Sequence, residues 1–112
     1  MWQDTLTVLR RCGGLSLNVL ILGSVTAEQR DEVLDELRTA AGRDDIVVID
    51  QLADLSTDDQ QALLRWLDQH RDAMVLSFAT NAIFRLMTTG KFSERLFYRL
   101  NSITLSVDEE TA

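Results

Sequence analysis

Ile46-Val47-Val48-Ile49-Asp50-Gln51 is a run of four apolar residues closed by an acid and an amide. A run this short with no polar alternation reads as a buried strand, of the kind found in parallel sheets covered by helices. Working outward, Leu15 to Leu22, Met74 to Ala79 and Ile103 to Val107 read as three further strands. Helical patterns separate them. Thr26 with Gln29 has the spacing of a capping box, Val33, Leu34, Leu37 and Ala41 share one face behind it, and Gly42 is the natural stop. Ser56 with Asp59 opens a second helix that turns Leu63, Leu64, Trp66 and Leu67 inward. Ile83, Leu86 and Met87 mark another up to Gly90, and a last one spans about Ser93 to Leu100. A weaker helix covers Thr5 to Arg11. The alternation predicts an α/β fold: a three-layer domain with a parallel sheet of about four strands flanked by helices.

The 112 residues suit one domain with a single core, and no proline, repeat or low-complexity stretch marks a boundary. Residues 1–112 are therefore expected to form one unit, with 108–112 as a flexible acidic tail. The formal charge of -7 speaks against a sequence-independent hold on nucleic acid, which needs lysines and arginines to neutralise phosphates. The single cysteine, Cys12, excludes an intrachain disulfide, fits a reducing compartment, and reads as a small buried apolar residue near a helix end. The start lacks a signal-peptide pattern, and no apolar run approaches the roughly 20 residues that span a bilayer. A cytoplasmic protein with no membrane segment is expected.

In parallel α/β sheets functional residues gather at the carboxyl ends of the strands, which places Asp50, Asn81 and Gly23-Ser24 on one edge. A phosphate loop there needs glycines that present backbone N–H groups, a lysine and a Ser or Thr. The first strand is followed instead by Gly23-Ser24-Val25-Thr26-Ala27-Glu28-Gln29-Arg30, and the only lysine of the chain is Lys91, in Gly90-Lys91-Phe92. The loop is missing, and loss of nucleotide hydrolysis follows. A receiver-like domain that phosphorylates Asp50 is disfavoured too, since Gly23-Ser24 stands where an acidic pair is needed and Ser106-Val107 where a lysine is needed.

Val47 to Leu52, Leu55-Ser56, Gln61 to Leu67, Phe78-Ala79-Thr80-Asn81 and above all Gly90-Lys91-Phe92-Ser93-Glu94-Arg95-Leu96-Phe97-Tyr98-Arg99-Leu100-Asn101 occur in one order over about sixty residues. In these motifs the chain resembles the central AAA+ domain of bacterial sigma-54-dependent transcription activators. From Leu6 to Leu37 the likeness is architectural only. The resemblance implies a reduced P-loop NTPase core in which Asp50 corresponds to a magnesium-holding residue and Asn81 to a sensor of the outer phosphate. Gln51 stands where the family has the catalytic acid, and an amide cannot act as a carboxylate base. Arg99 matches the second of two arginines that approach a neighbouring subunit's nucleotide, the first falls on Ser93, and Arg95 stands where an acid is usual. The sigma-contacting segment is omitted between Gly42 and Asp45, and a core without the family's lid after Ala112 is expected.

The expectation is a degenerate, non-catalytic relative: no catalytic residue, cofactor or metal, with Asp50 and Asn81 vestigial at a former nucleotide site. Without a phosphate loop, both read more simply as helix caps or polar edge groups. Arg95, Phe97 and Arg99 are the candidates for protein interaction, although a surface salt bridge is the ordinary reading of Arg99. His70 has no second ligand for a metal and reads as a solvent-side residue at a helix end. Trp2, Trp66, Phe92, Phe97 and Tyr98 read as core, and any that prove exposed would mark a contact surface. The partners implied are a full-length AAA+ transcription activator or a second copy of the chain, in transcription or signalling control. The alternative is a residual nucleotide-binding sensor or weak ATPase.

Overall fold

In a computed structural model, which describes residues 2–13 and 18–107, the chain alternates helices and strands: α1 (Trp2–Gly13), β1 (Val19–Leu22), α2 (Ala27–Ala41), β2 (Val47–Ile49), α3 (Thr57–Gln69), β3 (Val75–Ala79), α4 (Ala82–Thr88), α5 (Glu94–Leu100) and β4 (Ile103–Ser106). The four strands form one parallel sheet in the order β2-β3-β1-β4. The expected α/β architecture is thus observed. The start of the predicted first strand, the packing of Trp2 and Cys12, and the acidic tail lie outside the described residues or side chains.

The two middle strands, β1 and β3, are buried along their whole length, because helices cover both faces of the sheet. Val19 and Ile21 of β1 and Leu76 and Phe78 of β3 point into a core shared with Leu6 and Leu9 of α1 and Val33 and Leu37 of α2. Leu20 and Leu22, with Val75 and Ala79, point the other way, toward Leu67 of α3, Ile83 of α4 and Leu96, Phe97 and Leu100 of α5. Alternation along each strand therefore feeds two separate cores. The register Val19↔Leu76, Leu20↔Ser77, Ile21↔Phe78 keeps like-facing residues side by side.

β2 departs from the sequence expectation. It lies at the sheet edge beside β3 only, and Val48 is 38% exposed. Ile46, on the same face, is covered, so the α1–α2 layer ends before it reaches Val48.

The helix boundaries follow their local chemistry. Thr26 Oγ1 accepts from the Gln29 N–H at 3.0 Å while Gln29 Oε1 accepts from the Thr26 N–H at 2.9 Å, which completes the capping box. Gly42 ends α2 in the left-handed region (φ 68°), where its N–H reaches the Arg38 carbonyl. Ser56 and Ser93 cap α3 and α5 by accepting from the Asp59 and Leu96 N–H groups. α1 is longer than expected at both ends, and Arg10 binds Glu36 of α2 at 2.6 Å along that contact.

Candidate functional site

The connection after β1 leaves toward the α1–α2 face, whereas the connection after the adjacent β3 leaves toward the α3–α5 face. Such a switch point opens a crevice beyond the carboxyl ends of the strands. Here the crevice is a cleft of about 230 Å³ lined by Gly23, Ser24, Arg30, Asp50, Gln51 and Thr80, among others. The Gly23 N–H donates to the Ala79 carbonyl at 2.8 Å, which draws the start of the β1–α2 loop against β3.

Within the cleft Arg30, in the second turn of α2, faces Asp50 at the end of β2, with 3.8 Å between Nε and Oδ1. Their side chains are 33% and 68% exposed, so this is a loose, wet ion pair. The first turn of α2 is turned inward on its own capping box, so the Gln29 N–H is occupied by the Thr26 side chain. One positive and one negative group thus face each other where the sequence resemblance puts phosphate and magnesium.

Asn81 is not brought to this cleft. It sits at the start of α4 with helical backbone angles (φ -61°, ψ -16°) and its side chain caps nothing. The capping expectation fails for both residues. An N-cap side chain reaches the following N–H groups from an extended backbone, which Asn81 lacks, and Asp50 lies one residue before Gln51, the residue that precedes the single 3-10 turn Leu52–Asp54. Asp50 is a polar edge group, the other half of that reading.

The Gly90–Asn101 run is organised by a residue that the sequence did not single out. Gln60 of α3 is 4% exposed. Its Nε2 donates to the Leu55 and Lys91 carbonyls, both at 3.0 Å, and its Oε1 accepts from the Ser93 N–H at 2.8 Å. Three bonds from one buried amide thereby fix the entry to α5. The signal available was a glutamine inside an amphipathic helix, which is indistinguishable from a solvated one until α5 is folded against it. Asn18 does the same at the opposite sheet edge, donating to the Arg99 carbonyl and accepting from the Val75 N–H, both at 2.9 Å.

Of the interaction candidates, Phe97 is 4% exposed and belongs to the core. Its ring is covered by Phe84 at 5.9 Å and Tyr98 at 5.5 Å, both edge-on. Those two are the exposed aromatics among the described residues, at 42% and 66%. Arg99 bonds Asp68 of α3, the ordinary reading of that residue, and this bond holds the Asp68 carboxyl below the usual aspartate range. Arg95 is exposed and forms no ion pair among the described residues. Phe92 is buried, Trp66 is half-buried, and His70 stacks on Trp66 at the exposed end of α3, 4.2 Å between ring centres.

Among the described residues no cluster of His, Cys, Asp or Glu could hold a metal ion, and no helix is long and apolar enough to cross a membrane. No protein-family model and no curated protein matches the chain. Among solved structures it is similar to NtrX from Brucella abortus, determined in complex with ADP, with a TM-score of 0.79 and 16% identity. The match covers 95% of this chain and 35% of that one, so the chain spans about a third of NtrX and shares the fold of that part.

Proposed function

We propose that this chain is a non-catalytic protein-interaction domain on a reduced AAA+-type core, acting in bacterial transcription or signalling control. The observation that carries this reading is the α4–α5 surface, where Phe84 and Tyr98 stand exposed on either side of buried Phe97. Exposed aromatics that pack against a buried one are rigid and already partly desolvated, as anchors in protein interfaces are. Phe97 then supports the surface from beneath, and Tyr98, Phe84 and Arg95 meet the partner. A full-length AAA+ transcription activator is the partner to test first. Capture from a lysate of its own cells should return such an activator or another transcription component with the native chain, and lose it with Phe84→Ser/Tyr98→Ser. A native chain that returns neither would sink the proposal.

A second reading is favoured by the cleft at the switch point and by the ADP complex of NtrX, which shares the fold. It makes the chain a nucleotide sensor without strong hydrolysis. Isothermal titration with magnesium and ATP separates the two: submillimolar binding abolished by Asp50→Ala supports the sensor, and silence supports the interaction domain.

A further inference from the structure

The cleft at the switch point is balanced in charge. Arg30 and Asp50 are the only ionisable groups that line it among the described residues, one positive and one negative. At 3.8 Å the two lie beyond hydrogen-bond length, so each attracts the other while its donors or acceptors stay open to a third group. Gln51 and Thr80 add neutral polar groups beside them. Leu52, Phe78 and Ala79, all buried, supply an apolar wall.

These features speak against a phosphate cradle, which needs convergent backbone N–H donors. The Gly23 N–H is taken by the Ala79 carbonyl and the Gln29 N–H by the Thr26 side chain. A polyanion would also meet the Asp50 carboxylate, against which a single guanidinium stands. The cleft volume of about 230 Å³ is below the roughly 300–1,000 Å³ of pockets that enclose drug-sized ligands, so the fitting ligand is small. We infer that this cleft binds a free α-amino acid with an apolar side chain. The ligand carboxylate bonds the two Nη groups of Arg30, since the guanidinium meets Asp50 through Nε. Its ammonium bonds the Asp50 carboxylate, and its side chain lies against Leu52 and Phe78. Four charges then alternate around a square in which every neighbour attracts, and the site keeps its balance because the ligand is neutral overall. This goes beyond the docking reading and stands without it.

Isothermal titration of the full chain with L-leucine tests this, with isocaproate and isoamylamine as the same skeleton lacking the ammonium or the carboxylate. L-Leucine should bind, and each analogue should bind about tenfold or more weakly, the share of one charge-assisted hydrogen bond. Arg30→Met should abolish the preference for L-leucine over isoamylamine, and Asp50→Asn the preference over isocaproate, both with unchanged circular dichroism. Losses shared equally by all three ligands overturn the inference, because a pair that only shapes the cleft would act on them alike. A native chain that gives no heat with L-leucine, L-valine or L-methionine overturns it as well. Binding of magnesium and ATP that L-leucine does not displace also overturns it, and favours the nucleotide sensor.

Discussion

Gln60 accepts a hydrogen bond from the Ser93 N–H at 2.8 Å and so joins the first turns of α3 to the start of α5. The same amide donates to the Lys91 and Leu55 carbonyls, so both of its N–H groups and one of its two acceptor sites are taken by backbone. Gln60→Leu keeps the volume but strands the Ser93 N–H and the Leu55 and Lys91 carbonyls. A loss of about 2–3 kcal/mol is expected, from the cost of unsatisfied buried polar groups. Urea denaturation should show the midpoint falling with little change in slope, and a midpoint equal to that of the native chain would refute the clamp.

Ser77 presents the opposite case. It is fully buried on β3, and its hydroxyl has no hydrogen-bond partner. Ser77→Ala removes an unsatisfied group at a small loss of volume, so stability should stay level or rise by up to about 1 kcal/mol. A thermal melt that drops by several degrees would mean that the hydroxyl has a role in the fold.

Thr26→Ala should cost about 1 kcal/mol, because it leaves the Gln29 N–H without its partner at the start of α2. Thr26→Ser preserves the oxygen and should recover most of the loss in the same denaturation assay. Equal losses from both substitutions would argue against the capping box.

Acid sensitivity follows from three carboxylates held below their usual range by hydrogen bonds from arginines: Asp68 by Arg99, Glu36 by Arg10 and Asp45 by Arg43. A carboxylate with a lowered folded-state pKa stabilises the fold above its unfolded value and loses that contribution as the pH falls through the lowered one. For Asp68 the contribution is present above 3.8, its ordinary value, and disappears on further acidification. Melting temperature against pH should therefore decline more gently at the acid end in Asp68→Asn than in the native chain, and parallel curves would contradict the assignment.

Arg30 and Asp50, 3.8 Å apart and open to water, should matter little to stability. Asp50→Ala is expected to cost less than about 1 kcal/mol, as exposed pairs do. Near-native melting would qualify it as a probe for the titration with ATP, and a loss of several degrees would disqualify it.

Strand and helix positions were legible because the cues are local. The apolar runs around Val19–Leu22 and Val75–Ala79, the Thr26/Gln29 box, the Gly42 stop and the Ser56 cap each depend on residues within about four positions of one another. Asp50 at a strand end was legible for the same reason. The edge position of β2, which exposes Val48, was not legible, since it depends on which strands pair.

Neighbouring residues thus set the alternation of elements, the parallel class of the sheet, the capped ends of α2 and the start of α3, and the lack of a lysine loop, because propensity, capping and periodicity act over a few residues. Contacts between distant segments set the rest. They buried Phe97 and left Tyr98 and Phe84 outside, placed Arg30 opposite Asp50, left Asn81 out of the cleft, and made Gln60 the clamp on Ser93. Solvent exposure and hydrogen-bond partners belong to surfaces that exist only once remote elements meet.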